Sequence, residues 1–520
     1  MPAAMQAATD QSALGARRFA VLFAALFAAA AVPVLICDTL PLFDYPNHLA
    51  RMHILADWAR SPDLQRFYEI VWRPVPDLAM DALVPVLAHI MPLDWAGKAF
   101  VLVTLLLLAG GAALLHRTLF GRWSAWSCLA FLLLYSRVLL WGFLNYLFGL
   151  GLALCALAMW IALRHRAPAL RLAVGMLAAL ALFFSHLLAF GLYGVMVMGY
   201  ETGQALRQRP AWGRAAADLA LAGAAFVPAV VIFFVATPGA IGGAVHFGQP
   251  LRKLDLLFSV FDNYSRPFDV ACFALIVLAL TFLFARRWVR LAPAMAAPLA
   301  LLLLVYLAMP SQLATASGAD HRIPLLLGLV LVASSEWTVP RATARRAFLA
   351  AALALFVVRL GVVAAMWRDS DELYASLLPA FDGLAAGSRV AVAYPPDALN
   401  STAAPLAHFP TLAIVRRDAF VPTLFAFATQ QPVALRPDYR ALADRLPPER
   451  LWAALAAAGP PLDQGECAAL REYDYVAFVG RRPFMLAPQP ELARVFAAPR
   501  FALMRVVPEA ARLDGVEPPQ

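Results

Sequence analysis

Charged residues are scarce in this chain. Only 14% of its 520 residues are Asp, Glu, Lys or Arg, whereas about 25% is usual for a soluble domain. Hydrophobic residues instead make up 62% of the sequence, and the mean hydropathy is +0.71. This composition excludes a soluble globular enzyme, an intrinsically disordered chain and a small disulfide scaffold. It predicts a mainly α polytopic membrane protein.

Cysteine is also scarce, and common nucleotide and metalloprotease motifs are missing. Four of the five cysteines lie in apolar runs and only Cys467 lies in a polar region, so we predict neither a disulfide nor a cysteine metal site. No Walker loop, dinucleotide fingerprint, HExxH or nucleophile elbow occurs in a suitable context. The net charge of +9 comes with arginines clustered between apolar runs, which is typical of a topology signal and not of nucleic-acid binding.

Apolar runs long enough to cross a bilayer recur along the first 367 residues. A span needs about 20 apolar residues. The stretch 172–200 carries no charge for 29 residues, which is too long for one upright helix and short for two full spans. The other runs are 18–37, 97–116, 124–140, 144–164, 214–236, 268–285, 291–309, 323–338 and 346–367.

The distribution of arginine decides how the stretch 172–200 is interpreted. If it were one helix, nine arginines in later short loops would lie outside the cell. If it is a hairpin that turns near Ser185 and His186, the same nine lie inside and only four basic residues lie outside. Positive charge in short loops marks the cytoplasmic side, which favours the hairpin. The sequence then predicts about eleven membrane segments, a cytoplasmic N-terminus and a multi-pass location in a bacterial inner membrane.

This topology divides the chain into three parts. Residues 1–17 form a cytoplasmic tail, and residues 18–367 form the transmembrane domain with periplasmic loops at 38–96 and 237–267. The proline-rich remainder, 368–520, is predicted to be a periplasmic α/β domain large enough for its own core. Its expected strands are RVAVAYP from Arg389, TLAIVRR from Thr411, YDYVAFVG from Tyr473 and FALMRVV from Phe501, and PERLWAALAAAG from Pro448 is an expected helix.

The first outer loop contains the most unusual group of polar residues. Asp44 stands two residues before Pro46, where it could cap a helix, and His48 and Arg51 follow at i+4 and i+7 on the same face. An acid, an imidazole and a guanidinium on one face suit work on a hydroxyl and a phosphate. The alternative is a capped amphipathic helix whose polar face lies in water. A second interfacial helix is expected in PDLAMDALVPVLAHIMPLDW, with Asp77 as its cap and Asp81 as a further acid.

Other ionisable residues lie near the predicted outer surface. Arg137 and Arg359 fall in the outer halves of their spans, where they either reach to the interface or bind a phosphate. His186 is the lone ionisable residue of its apolar stretch, so it is either a hydrogen-bonded structural residue or a functional one.

Two outer loops add further candidates. Asp320, His321 and Arg322 stand together where a helix re-enters the bilayer, as an interface anchor or as a phosphate site. The loop 237–267 is a candidate lid and adds three further residues, Arg252, Lys253 and Tyr264.

These features together resemble the GT-C superfamily of membrane glycosyltransferases, which includes protein O-mannosyltransferases and the lipid A aminoarabinose transferase. The resemblance rests on an uncleaved first span, a long outer loop with an early aspartate, interfacial helices, a short apolar hairpin and an outer C-terminal domain. It implies that Asp44 is the catalytic base and that outer arginines and lysines bind a polyprenyl phosphate. Family members often carry paired acids in this loop, but here Tyr45 follows Asp44. No metal or other cofactor is predicted.

The implied reaction is an inverting displacement on a polyprenyl-phosphate-linked sugar. The acceptor would be a hydroxyl of a lipid, glycan or protein at the periplasmic face, and the partners would be the lipid-linked donor and membrane lipid. Two other classes stay open. A transporter or flippase of a lipid-linked saccharide would need a polar path through the spans, which the near absence of acids there disfavours. A non-catalytic assembly partner would use the C-terminal domain for docking.

Overall fold

The computed structural model describes residues 13–236, 245–313, 316–398, 406–427, 430–457 and 459–507. Part of the predicted cytoplasmic tail (1–12), part of the predicted loop 237–267 (237–244) and the last residues of the predicted α/β domain (508–520) lie outside this range.

The described residues form 21 α-helices and 13 short strands. The first helices are α1 (Ala16–Ile36), α2 (Tyr45–Asp57), α3 (Pro62–Phe67), α4 (Ala79–Leu87), α5 (Leu93–Phe120), α6 (Arg137–Leu140), α7 (Leu144–Ala162), α8 (Pro168–Ser185), α9 (Leu187–Gln208), α10 (Trp212–Ala224) and α11 (Val227–Ala236). The others are α12 (Arg252–Phe258), α13 (Arg266–Ala285), α14 (Ala296–Ala308), α15 (Ala319–Ser334), α16 (Ala342–Leu377), α17 (Pro379–Asp382), α18 (Leu412–Arg417), α19 (Pro437–Arg445), α20 (Pro448–Leu455) and α21 (Gln464–Arg471).

The strands are β1 (Ala13–Leu14), β2 (Tyr68–Ile70), β3 (Trp123–Ser124), β4 (Val245–His246), β5 (Val289–Leu291), β6 (Gln312–Leu313), β7 (Ala316–Ser317), β8 (Ser335–Trp337), β9 (Val390–Ala393), β10 (Val433–Leu435), β11 (Tyr475–Val479), β12 (Leu492–Ala498) and β13 (Phe501–Val506).

The chain forms two compact units. The first, which we call the helical unit, comprises Met1–Ile36, Pro74–Met80 and Ala99–Met366. The second, the mixed unit, comprises Cys37–Arg73, Asp81–Lys98 and Trp367–Gln520.

Within the described part of the chain, seven helical segments are long and apolar enough to cross a membrane. They are α1, α5, α7, α8, Trp212–Ala236 (α10 with α11), α13, and Ala342–Asp382 (α16 with α17). The expected runs 291–309 and 323–338 correspond to the shorter helices α14 and α15. Each of these ends beside short non-α segments, so hydropathy extends further along the chain than the helix does.

The predicted run 124–140 is not one continuous helix. It contains a nine-residue 3-10 helix, Ala125–Leu133, followed by the four-residue helix α6. Trp126 is buried there, and its indole Nε1 donates to Ser335 Oγ at 3.1 Å. Trp126 also packs with Trp337 and Val289 in an apolar core cluster. This run is therefore apolar because it packs against protein, which hydropathy cannot distinguish from contact with lipid.

The stretch 172–200 turns at His186, as its sequence indicates. His186 separates α8 from α9 and caps α9, with Nδ1 accepting the Leu188 N–H at 3.1 Å. Arg171, near the start of α8, donates to Glu201, near the end of α9, at 2.5 Å, so the two helices run antiparallel. Glu201 is 1% exposed and also pairs with Arg164. The ends of α8 and α9 away from the turn are therefore joined by the buried carboxylate of Glu201, which pairs with the guanidinium groups of Arg171 and Arg164.

The mixed unit contains a four-stranded sheet in the order β12-β13-β11-β9. Strands β9 and β11 are parallel, and the other neighbours are antiparallel. Three of the strands expected in the tail form here as β9, β11 and β13, and the helix expected from Pro448 forms as α20. A separate antiparallel pair joins β2 to β10, with Tyr68 opposite Leu435.

The strand expected from Thr411 is wrong, because those residues form helix α18. A preceding 3-10 turn, Phe409–Thr411, starts the helix, and Asp418 ends it in the left-handed region with φ of 49°. Leu412, Ala413 and Ile414 are buried. The apolar run is short enough to fit either structure, so packing of α18 against α2 decides its conformation.

Candidate functional site

Asp44 lies in the mixed unit at the start of α2. Pro46 occupies the first turn of the helix, where a missing N–H costs nothing. Asp44 stands at the N-cap position, as its sequence context predicts, but among the described residues its side chain makes no capping hydrogen bond. The predicted polar face does not lie in water either: His48 is 9% exposed and Arg51 is 1% exposed. The carboxylate of Asp44 is therefore a largely buried acid, with a side-chain exposure of 13%.

Arg51 is held by a buried ion pair with Asp81. Its Nε and Nη2 donate to the two carboxylate oxygens of Asp81 at 2.6 and 3.0 Å. The same Nη2 lies 3.3 Å from Nδ1 of His48, one turn earlier on α2. Because a guanidinium has no acceptor, Nδ1 of His48 accepts, which in a neutral ring leaves the proton on Nε2. Asp81 is thus the partner that fixes Arg51, and its expected role as a further acid is not supported.

His408 was not singled out from the sequence, yet it lies beside Asp44. Its Nε2 is 3.6 Å from Asp44 Oδ1, and both residues belong to the mixed unit. Burial lowers the pKa of His408 to about 4, so the ring is neutral at physiological pH. The rings of Phe43 and Phe425 stand edge-on to the imidazole at 5.0 and 5.1 Å between centroids. The base candidate of the sequence analysis therefore has a neutral histidine as its neighbour.

The turn that leads to Asp44 is fixed from the end of α16. The carboxylate of Asp371 accepts the backbone N–H of Asp38 at 3.0 Å and that of Thr39 at 2.9 Å. Asn47, on the first turn of α2, accepts the Phe425 N–H at 2.8 Å. The bonds to the Asp371 carboxylate are charge-assisted, and such bonds are about twice as strong as neutral ones. Asp44 therefore stands on a backbone that is held on both sides.

In the helical unit, the basic candidates of two predicted loops come together. Nη2 of Arg252 lies 3.1 Å from Nε2 of His321, and Arg137, Arg252 and Arg322 all interact electrostatically with His321. Lys253 Nζ lies 3.0 Å from Oδ2 of Asp320, which is 1% exposed. We call Arg137, Arg252, Lys253, His321 and Arg322 the basic cluster.

Within the basic cluster, Arg322 contacts both an aromatic ring and a histidine. Its guanidinium lies over the Phe143 ring, 4.1 Å from the centroid, and its Nη1 is 3.2 Å from Nε2 of His186. The other ring nitrogen of His186 already accepts the Leu188 N–H. A neutral imidazole accepts a hydrogen bond at one nitrogen only. The Leu188 N–H and the Arg322 guanidinium are both donors, so the neutral ring can accept from only one of them. Asp77 Oδ1 lies 3.6 Å from the same Nε2, and Asp77 stands two residues before α4, which starts at Ala79.

The remaining candidates are tied into the protein itself. Arg359 is buried, pairs with Asp269 at 3.0 Å and donates to the Phe261 carbonyl at 3.1 Å. Arg137 forms an ion pair with Asp262 and keeps a side-chain exposure of 28%. Tyr264 lies half-buried shortly before α13. Arg359 is therefore occupied by a structural ion pair, whereas Arg137 keeps an exposed part. Among the described residues, no group of three or more His, Cys, Asp or Glu side chains could hold a metal ion.

Comparison with known proteins bears on the fold. No family model matches the sequence. No curated protein matches it either. Solved structures do: ArnT from Cupriavidus metallidurans bound to undecaprenyl phosphate has a TM-score of 0.54 at 14% identity, covering 95% of this chain and 99% of that one. The apo structure of the same ArnT gives 0.55 at 14% identity, covering 97% and 100%.

This chain has the GT-C fold. A third structure, the arabinofuranosyltransferase AftD from Mycobacteria, has a TM-score of 0.50 at 16% identity and covers 95% of this chain but 40% of AftD. ArnT and AftD are both GT-C membrane glycosyltransferases. The likeness to ArnT extends over nearly the whole length of both chains, so the mainly helical GT-C-like fold expected from the sequence is confirmed. Together with its apolar helices, it makes the chain a multi-pass membrane protein.

Proposed function

We propose that this chain is a membrane glycosyltransferase that uses a polyprenyl-phosphate-linked sugar. The observation that carries the proposal is the GT-C fold shared with ArnT, whose structure was determined with undecaprenyl phosphate bound. The acceptor is a hydroxyl of a lipid, glycan or protein at the periplasmic face of the inner membrane. The N-terminus is cytoplasmic in this proposal, and the mixed unit is periplasmic.

Asp44 acts as the general base. It takes the proton of the acceptor hydroxyl while that oxygen forms a bond to the anomeric carbon, and the bond from this carbon to the phosphate oxygen breaks with inversion. General-base help of this kind contributes about 10²–10⁴-fold. The burial of Asp44 and the neutral state of its neighbour His408 support this role, because a neutral imidazole adds no positive charge beside the carboxylate.

The basic cluster binds the phosphate of the lipid. A polyprenyl phosphate needs little protonation to leave, but its charge needs cations, which guanidinium groups supply through paired hydrogen bonds. Arg322 and Arg252 suit this role best, because each guanidinium lies within 3.2 Å of a histidine ring nitrogen and that of Arg322 is also oriented by the Phe143 ring. Lys253 and Arg137 lie beside carboxylates and contribute charge to the same cluster. His186 positions Arg322.

The proposal is tested in cells that lack the chain and are complemented with variants. Loss of the enzyme should cause the lipid-linked saccharide to accumulate while a surface glycan, lipid or protein loses one sugar. Asp44→Asn keeps the shape of the side chain and should reduce transfer by about 10²-fold or more at normal protein level. Asp57→Asn, on the same helix and 38% exposed, is the matched control and should transfer normally.

Two results would contradict the proposal. Normal transfer by Asp44→Asn at normal abundance removes Asp44 as the base. Accumulation of donor on the inner leaflet alone, with purified protein that catalyses no transfer, indicates a flippase.

A further inference from the structure

The imidazole of His408 is a buried polar group whose surroundings favour one partner. Both neighbouring rings, Phe43 and Phe425, are apolar, and the ring nitrogen Nδ1 has no hydrogen-bond partner among the described residues. The other nitrogen, Nε2, faces the carboxylate of Asp44 at 3.6 Å. Burial of an imidazole costs free energy when its nitrogens lose water without gaining hydrogen bonds. A hydrogen bond from Nε2 to Asp44 would offset part of that cost.

The backbone on both sides of this contact is fixed. The carbonyl of His408 accepts from the N–H and the hydroxyl of Thr411, at 3.1 and 2.7 Å. Phe425 is held through its N–H by Asn47 of α2. The carbonyl of His408 is therefore fixed within its own turn, and the ring of Phe425 that flanks the imidazole belongs to a residue bonded to the helix that follows Asp44.

We propose that His408 is a positioning residue for Asp44, with Nε2–H directed at Oδ1 so that the carboxylate is held in the orientation that removes the acceptor proton. This inference rests on the proposed function. An ionised carboxylate only accepts hydrogen bonds, so the proton of the neutral ring belongs on Nε2. The present 3.6 Å separation shortens when the acceptor arrives, as is common for catalytic hydrogen bonds that are long before substrate binds.

A neutral imidazole suits this role better than a cation. A cation within about 4–6 Å lowers the pKa of a carboxyl group by about 1–3 units and weakens it as a base. The two phenylalanine rings and the burial of His408 keep the charge off the ring. The imidazole can thus orient the carboxylate without placing a positive charge beside it.

The first test compares two substitutions with nearly the same bulk. His408→Phe keeps the packing with the two phenylalanines but removes Nε2, and His408→Gln returns an N–H donor near the same place. The assay uses purified protein and the labelled lipid-linked saccharide that accumulates in cells lacking the chain. We expect His408→Phe to lower kcat about 10–100-fold with KM for the donor unchanged, as for a misplaced catalytic group, and His408→Gln to recover part of kcat. His53→Gln on α2, whose ring pairs with Asp418, is the control and should keep normal kcat.

A double-variant cycle separates this inference from the proposed function. If His408 acts through Asp44, then Asp44→Asn with His408→Phe should be no slower than Asp44→Asn alone. Losses that multiply, an unchanged kcat in His408→Phe, or a His408→Gln variant no better than His408→Phe would each overturn the role of His408 while leaving Asp44 as the base. Normal transfer by Asp44→Asn would overturn both.

A spectroscopic readout needs no substrate. With ¹⁵N-labelled histidine, the signal of His408, assigned from its loss in His408→Gln, should be that of a neutral ring protonated at Nε2 at pH 6. It should move in Asp44→Asn and stay in place in Asp57→Asn. A cationic ring, or a proton on Nδ1, would overturn the inference.

Discussion

Arg322 is the residue of the basic cluster whose removal should have the clearest effect on lipid binding. Its guanidinium is stacked on Phe143 and approached by His186, so it is oriented before a ligand binds. A charge-assisted hydrogen bond in such a place contributes about 1.5–3 kcal/mol. At about 1.4 kcal/mol for each factor of ten, Arg322→Ala should weaken binding of undecaprenyl phosphate by roughly 10–150-fold.

The measurement is a titration of the purified protein with undecaprenyl phosphate, followed by native mass spectrometry or by the rise in melting temperature. Arg322→Lys keeps the charge but loses the planar fork, so its Kd should fall between those of the wild type and the alanine variant. Arg286→Ala is the matched control, because Arg286 is an exposed arginine that also lies over a phenylalanine ring. It should bind the lipid normally.

Two outcomes would refute this reasoning. If Arg322→Ala binds undecaprenyl phosphate as the wild type does, Arg322 only anchors the start of α15, and Arg252 becomes the next candidate. If Arg286→Ala loses as much affinity as Arg322→Ala, the lipid is attracted by overall charge and not by a defined site.

Three further predictions concern stability and topology. Asp81→Asn leaves Arg51 as a buried cation without its carboxylate and should lower the free energy of unfolding by about 3–5 kcal/mol, seen as a lower melting temperature in detergent. Asp418 has a lowered pKa, first because His53 donates to it, so its stabilising effect is present at neutral pH and is lost as pH falls below about 4; Asp418→Asn should flatten that acid dependence of melting. A reporter fused after Gln520 should be active only outside the cytoplasm, and cytoplasmic activity would contradict the proposed topology.

Hydropathy predicted much of the helical unit because the bilayer imposes one simple requirement on a span. The turn near Ser185 and His186 was predictable because only a hairpin in the 29 uncharged positions keeps the nine later arginines on the cytoplasmic side. The run 124–140 shows where this reasoning stops: residues around Trp126 are as apolar as a span, yet they pack inside the protein. Hydropathy measures the cost of contact with water, and it takes the same value in lipid and in a protein core.

The ion pairs of the helical unit could not be predicted from local patterns. Arg359 finds Asp269 at a sequence separation of 90 residues, and neither neighbourhood indicates the other. From the sequence alone, Arg359 had two open explanations, interface contact or phosphate binding. The structure adds a third, a buried ion pair, because it supplies the partner that burial of a charge requires.

Asp44 has neighbours of two kinds, residues close in sequence on α2 and a histidine from a distant segment. Helical spacing operates over a few residues and is visible in the sequence, so the place of His48 and Arg51 one turn apart on α2 could be predicted. His408 comes from a distant segment that was expected to lead into a strand and instead precedes α18. With a strand there, Leu412 and Ala413 would point to opposite faces, whereas both are buried in the observed helix, which packs against α2. The correct placement of His408 therefore depends on the same packing that makes α18 a helix, and a sequence pattern could reveal neither one alone.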